Sequence, residues 1–393
     1  MAFSRRYDWH FPPNALGELL ARKQAAGRAL LDLTQSNPTR VGLDYAREAI
    51  LAALARPGAL VYEPSPRGRP EALGAIAEYY HGLGCPLDAA QLFLTASTSE
   101  AYGHLFKLLG DPGDEVLIPT PGYPLLAYLA RFEGLRAVSY PTRYSEEKGW
   151  SLDLEVIEAL VTPRTRAVLA VSPNNPTGAY LKPAELGALD ALCTRHDLAL
   201  VVDEVFADYA GPTAPPPPLR TAAGRTRCLT FVLNGFSKMV ALPQVKLGWV
   251  AVCGDVDLAR EAGRRLEALL DFYLSVAGPV QHAVQRLLAG REAIQRQIVA
   301  RLEVNEAWLH SQADRSGHGR VLRREGGWYA VVELHDTLDD EARVLDLLER
   351  WDTLVHPGFF YDFNRDGFVV LSLLPPPEIF QAGAAHLLSV QPK

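Results

Sequence analysis

Five short stretches built almost wholly of apolar residues recur through the middle of the chain, and they limit its fold more than any other feature. They are EVLIP ending at Pro119, AVLAV ending at Val171, LALVV ending at Val202, CLTFVL ending at Leu233 and KLGWVAV ending at Val252. A strand with one wet face alternates apolar and polar residues, whereas a strand covered on both faces is apolar throughout. The segments between the runs, such as Pro183 to His196, place apolar residues at helical spacing. This alternation predicts an α/β domain around a mostly parallel sheet flanked by helices.

From Val256 the pattern changes to long helical stretches, through Leu270 and again from Pro279 to about Asp314. Strand candidates WYAVVEL and FVVLSLL then surround a helix near Asp340 to Trp351. A chain of 393 residues accommodates two domains. The reading is a large domain at residues 45–270 and a smaller α+β domain from residues 1–44 and 271–393. The segment Gly211 to Pro218, GPTAPPPP, reads as an extended surface loop.

A net charge of −7 leaves no basic surplus to neutralise phosphates, which argues against a nucleic-acid partner. No stretch approaches 18 apolar residues without a charge, so no membrane span is expected. The N-terminal MAFSRRYDWHFPPN lacks the apolar run of a secretory signal. Cys85, Cys193, Cys228 and Cys253 are scattered, with no CxxC pair, so reduced thiols, a cytoplasmic location and no metal site are expected.

Four features fall just past strand candidates, where open α/β sheets bind ligands. Lys238 follows Ser237 in NGFSKMVALPQVKLGW; a lysine desolvated there loses its proton and attacks carbonyls, although a solvated lysine is the ordinary alternative. Asp203 ends the run LALVVD, where burial demands a cationic partner such as a pyridinium nitrogen; a helix cap or surface acid is the plain reading. Asn175 lies in Ser172–Gly178, SPNNPTG, a turn stiffened by two prolines that aims an amide at a ring oxygen or serves only as a turn. Ser97, Thr98 and Ser99 open a helical segment, which suits a phosphate as well as ordinary capping.

Taken in order, a hydroxyl-rich turn, an aromatic in PGYP, NNPTG, an acid in DEVF and SK followed by LGW resemble the class I/II aminotransferases, the fold-type-I pyridoxal-phosphate enzymes. The resemblance runs from about Leu33 to about Ser372 and implies that the mostly parallel sheet is of the seven-stranded type. It implies that Lys238 holds pyridoxal 5'-phosphate as a Schiff base and moves the α-proton, and that Asp203 pairs with the pyridine nitrogen. It further implies that Asn175 bonds the ring oxygen and that Tyr123 covers the ring. Ser97, Thr98, Ser99 and Ser237 would hold the phosphate. Tyr62 in VYEPSPRG would reach the phosphate of a second subunit, making a homodimer with shared sites. The implied activity is transfer of an amino group from an amino donor to a 2-oxo acid.

Three positions depart from that pattern. Lys246 stands where an arginine usually faces the phosphate, keeping the charge but losing the bidentate fork. Phe206 stands where a tyrosine usually donates to the ring oxygen. Val370, in FVVLS, stands where an arginine usually clamps the substrate carboxylate, a loss of about 2–5 kcal/mol if nothing replaces it. Arg365 and Arg40 are candidate replacements, and Ser36 and Asn37 lie where the family's N-terminal segment approaches the substrate. Rival readings are a β-eliminating carbon–sulfur lyase, which uses the same cofactor residues, and a non-catalytic cofactor-binding protein.

Overall fold

The computed structural model describes residues 3, 4, 6, 14–211, 219–335 and 338–389. Residues 212–218, nearly all of the proline-rich loop expected from the sequence, lie outside this set. Among the described residues fourteen strands follow in chain order. They are β1 (Leu31–Asp32), β2 (Leu92–Thr95), β3 (Glu115–Thr120), β4 (Arg136–Ser145), β5 (Gly149–Leu152), β6 (Thr165–Val171), β7 (Ala199–Asp203), β8 (Thr230–Gly235), β9 (Gly248–Cys253), β10 (Gly319–Val321), β11 (Tyr329–Leu334), β12 (Thr353–Leu354), β13 (His356–Pro357) and β14 (Phe368–Ser372).

Eight of them form one sheet in the order β2-β9-β8-β7-β6-β3-β4-β5. The run β8-β7-β6-β3-β4 is parallel throughout, while β9 and the edge strand β5 run antiparallel to their neighbours. All five apolar runs are strands of this sheet. Its alternate residues feed two separate cores. Leu117, Val168, Leu200, Val202 and Val232 face one side, and Val116, Ala167, Val201, Phe231 and Leu233 face the other. That is why the runs are apolar at every position.

The register brings the carboxyl ends together at one edge. Val171 stands beside Asp203, Asp203 beside Leu233, and Gly235 and Thr95 both pair with Gly248. Every chemistry-bearing turn expected from the sequence therefore leaves the sheet at the same rim.

The second lobe holds an antiparallel sheet, β10-β11-β14-β13, backed by the helices Arg291–Ser316, Asp340–Trp351 and Pro377–Ser389. The N-terminal segment is sewn into it. β1 pairs with β12, Leu33 N–H donates to Leu354 O at 2.9 Å, and Ser372 N–H donates to Leu33 O at 2.7 Å. The helix Gly278–Ala289 packs its Val280, Ala283, Val284 and Leu287 into the core of the large sheet, and the second core begins at Ile294. We propose on that ground a domain boundary near residue 290 rather than at 270.

Candidate active site

Lys238 sits on a single helical turn, Phe236–Met239, directly after β8. Gly235 must be glycine here, since a Cβ would lie 2.9 Å from Leu247 O and 3.0 Å from Gly248 Cα. At Gly248 a Cβ would come 3.0 Å from the carbonyl carbon of Ser97 and 3.1 Å from Thr98 N. These two glycines let the ends of β2, β8 and β9 approach closely, drawing Lys238 and the Ser97–Ser99 turn together. The Tyr209 hydroxyl donates to Lys238 O at 2.7 Å and fixes the turn.

The Lys238 amine lies 5.0 Å from the Trp328 ring centroid and 5.4 Å from that of Phe206. Burial pushes its pKa down to about 8, with the charge of Asp203 pulling the other way. A few per cent or more of the amine is therefore neutral at pH 7, the form that reacts with a carbonyl.

Asp203 closes β7 on the face where the helix Thr98–Leu109 packs, as the alternation along the strand dictates. Its Oδ2 accepts from the Tyr102 hydroxyl at 3.0 Å and its Oδ1 from Val205 N–H at 3.0 Å. Burial nonetheless pushes its pKa up to about 6. Tyr102 had no signature in the sequence beyond an aromatic on the buried face of a helix.

The turn after β6 is held by its own side chains. Asn174 Oδ1 accepts from Thr177 N–H and its hydroxyl, and Ser172 Oγ accepts from Leu181 N–H. Gly178 has a φ of 72° and no room for a Cβ, which would meet Arg324 Cγ and Gly326 O at 2.5 Å. Asn175, by contrast, has its Oδ1 buried without a partner. The Trp328 indole N–H is also buried without an acceptor. An unpaired buried polar group costs about 1–3 kcal/mol. A polar ligand at this rim relieves it, meeting the Asn175 amide by either its oxygen or, after rotation, its NH2.

At the start of the helix Thr98–Leu109, Ser97 Oγ accepts from Glu100 N–H at 3.1 Å, and Glu100 Oε2 accepts from Ala96 N–H at 2.5 Å. Ser97 therefore acts as an N-cap and retains its O–H to donate. The N–H groups of Thr98 and Ser99, first in the helix, have no intrahelical acceptor by construction and form an anion cradle. Lys246, with a φ of 58°, is exposed two residues before Gly248, and Ser237 is half-buried next to Lys238. Tyr123 is about half exposed on the turn whose Gly122 N–H donates to Tyr361 O at 3.0 Å. Phe206 is buried edge-on against Trp328 and Tyr329. Tyr62 is 80% exposed.

The substrate-side candidates fare differently. Ser36 lies beside the phenol of Tyr329, whose ring centroid is 6.2 Å from that of Phe206. Asn37 Oδ1 is already taken by Thr39 N–H and its hydroxyl as the cap of the turn Pro38–Arg40, so only its NH2 is left to offer. Arg365 is not brought to Lys238. It pairs with Glu333, a carboxylate shared with Arg320, and stacks 4.5 Å from the Phe368 ring centroid. Glu333 is four residues along β11 from Tyr329, about 13 Å away. Arg40 is exposed. Tyr329, Tyr361, His356 and Trp328 border the site although no motif announced them. Among the described residues there is no group of three or more His, Cys, Asp or Glu arranged to hold a metal ion.

Comparison with known proteins agrees with this geometry. The profile described as Aminotransferase class I and II matches residues 28–370. The alanine aminotransferase of Mycobacterium tuberculosis is 31% identical, the match covering 90% of this chain and 84% of that protein. The glutamate-pyruvate aminotransferase AlaA of Escherichia coli is 30% identical, over 90% of this chain and 88% of the relative. The structure of Thermus thermophilus aspartate aminotransferase with maleate superposes with a TM-score of 0.81 and 26% identity, covering 99% of both chains.

Proposed function

Because the chain belongs to the class I and II aminotransferase family, whose members move an amino group from an amino donor to a 2-oxo acid, we propose that Lys238 is the lysine that anchors pyridoxal phosphate and carries the proton in that transfer. The observation that carries the reading is the rim itself: a desolvated amine at Lys238, a buried acid at Asp203 and an unpaired amide at Asn175, on neighbouring strand ends. Pyridoxal phosphate, when bound, supplies an electron sink for the carbon that loses its proton.

The protein's own residues do the rest. Asp203, oriented by Tyr102, offers a carboxylate to the protonated pyridine nitrogen, and that cation offsets the burial that now raises the Asp203 pKa. Asn175 meets the ring oxygen. The amides and hydroxyls of Thr98 and Ser99, the hydroxyls of Ser97 and Ser237, and the ammonium of Lys246 take the phosphate. Tyr123 covers one ring face. Phe206 presents no hydroxyl to the ring oxygen, so that oxygen keeps one donor fewer. Lys238 Nζ accepts the substrate's α-proton and returns it later in the same half of the reaction; the other half runs the same transfers backward with a 2-oxo acid.

The same reading makes the protein a homodimer. Leu60, Tyr62, Phe272 and Leu274 are 91, 80, 84 and 70% exposed, and Ser65 N–H donates to Ser275 Oγ at 2.7 Å, tying the two segments into one apolar patch. Tyr62 would reach from that patch to the partner's phosphate cradle. No described helix is long and apolar enough to cross a membrane, and the four cysteines are free and buried, which suits the cytoplasm.

The test is spectroscopic. Adding alanine or glutamate to the cofactor-loaded protein abolishes the cofactor's visible absorbance, a 2-oxo acid restores it, and Lys238→Ala does neither. Release of pyruvate, ammonia and a thiol from a cysteine S-conjugate, with the absorbance unchanged, would show a lyase instead.

A further inference from the structure

The place left by the missing carboxylate clamp has been filled in a definite way. Val370 is fully buried in β14, in register with Val331 of β11 and His356 of β13. Residues directly opposite one another in an antiparallel pair project from the same face, about 5 Å apart, and so do residues two apart on one strand. That face also carries Tyr329, whose ring centroid lies 6.2 Å from that of Phe206, a ring beside the Lys238 amine. Val370 and His356 thus look toward the rim that holds Lys238. A valine leaves most of an arginine's length vacant, yet nothing of Val370 is exposed, so its neighbours have closed over it.

Tyr361 bridges the remaining space. Its backbone carbonyl is fixed by Gly122 N–H at 3.0 Å, next to Tyr123, while its hydroxyl ends 3.1 Å from His356 Nδ1. It therefore runs from the turn of Tyr123 to the strand pair that carries Val370. Burial raises the Tyr361 phenol pKa, with Tyr329 and Tyr123 adding to it, so the phenol keeps its proton. Burial also lowers the His356 pKa against a smaller opposing effect of Asp32, so the imidazole is neutral.

We propose that Tyr361 is the specificity-determining donor for the carbonyl end of the substrate, with His356 as its positioning residue; this rests on the aminotransferase reading above. With Nδ1–H of His356 donating to the phenol oxygen, the phenol's own proton is left for a substrate oxygen. Ser36 lies near the neighbouring phenol of Tyr329. A neutral donor favours a carboxylate over an amide carbonyl only by the difference between a charge-assisted and a neutral hydrogen bond, whereas an arginine is also left buried without a counter-charge when the ligand is uncharged. The substrate class is accordingly α-amino acids together with their amides, where an arginine clamp would reject the amides.

The experiment uses cofactor-loaded protein, with alanine and alaninamide as donors and propionate and propionamide as non-reacting probes. The wild type accepts alanine and alaninamide with kcat/KM values within about tenfold of each other. Tyr361→Phe, which keeps the ring, weakens binding of both propionate and propionamide about ten- to a hundredfold, and raises KM for both donors without lowering kcat. His356→Leu does the same, and His356→Gln, which can still donate to the phenol, recovers most of the loss. Unchanged probe binding in Tyr361→Phe, or a loss confined to propionate, overturns the proposal. If neither donor alters the cofactor absorbance of the wild type, it is the aminotransferase reading that falls, and probe binding still decides the role of Tyr361.

Discussion

Replacing Asp203 with asparagine should stabilise the cofactor-free protein and weaken the cofactor-bound one. The carboxyl is buried and its pKa is pushed from 3.8 up to about 6. Below pH about 4 it is protonated in both the folded and unfolded states and costs nothing. Above pH about 6 it is ionised in both, and the full penalty stands, so stability falls as pH rises through that window. A displacement of about two units corresponds to about 3 kcal/mol. Asparagine removes the charge at nearly constant volume. It can still accept from Val205 N–H, though the Tyr102 hydroxyl loses a charged acceptor, so the net gain at pH 8 is about 2 kcal/mol. Glu204, also buried and with its pKa pushed up to about 8, adds a loss of its own at higher pH; the charge of Asp203 contributes to that shift, so asparagine eases it as well and the difference keeps its sign. The assay is urea denaturation of the cofactor-free proteins at pH 4, 6 and 8, at one protein concentration. The variant should match the wild type at pH 4 and exceed it at pH 8. In parallel, its affinity for pyridoxal phosphate should fall at least about thirtyfold, the consequence of removing one partner of a buried charge pair. A variant less stable than wild type at pH 8, or equal at all three values, refutes the argument that Asp203 is an acid held at an energetic loss for a cationic partner.

Three further outcomes are expected. Phe206→Tyr supplies the missing donor to the ring oxygen and lowers the midpoint of the cofactor's pH-dependent absorbance change by about one unit; no change or a rise counts against it. Tyr62→Ala and Lys238→Ala are each nearly inactive alone, but random mixing of their subunits should restore about a quarter of wild-type turnover, because half the dimers then hold one intact site. No recovery after verified subunit exchange would mean that Tyr62 does not cross the interface. Phe272→Glu together with Leu274→Glu places charge in the exposed apolar patch and should shift the protein toward monomer in sedimentation, with the far-ultraviolet spectrum kept; an unaltered dimer would place the interface elsewhere.

The sequence disclosed those parts of the fold whose environment is uniform. Strands β3, β6, β7, β8 and β9 are covered on both faces and so are apolar at every position. β4 is as long as any of them, but it lies toward the sheet edge and pairs with the short β5, so RAVSYPTRYS mixes exposed and buried positions and gave no run to detect. β2 holds only four residues. The observed sheet has eight strands rather than seven because of that edge hairpin. The proposed cofactor half of the site is legible in the sequence because each residue follows a strand and sits in a short local motif. The proposed substrate half is not. His356, Tyr361, Tyr329 and Val370 come from separate strands and turns whose meeting is set by register, and Arg365 answers a carboxylate, Glu333, that is distant in sequence. Tyr102 was hidden because an aromatic on the inner face of a helix looks like core, whether or not its hydroxyl has work to do.

The hydrogen bond from Ser372 to Leu33 joins positions 339 residues apart (372 minus 33), and the Ser372 hydroxyl donates to Gln35 O beside it. A ribosome delivers Leu33 long before Ser372. Until β14 emerges the large sheet can gather its strands and shape the rim around Lys238, while the N-terminal segment still lacks its partners in β12 and β14. The lobe that carries Trp328, the ring 5.0 Å from the Lys238 amine, can therefore close only once β14 is in place. The burial that makes this amine reactive is a property of the two lobes together, not of the large sheet alone.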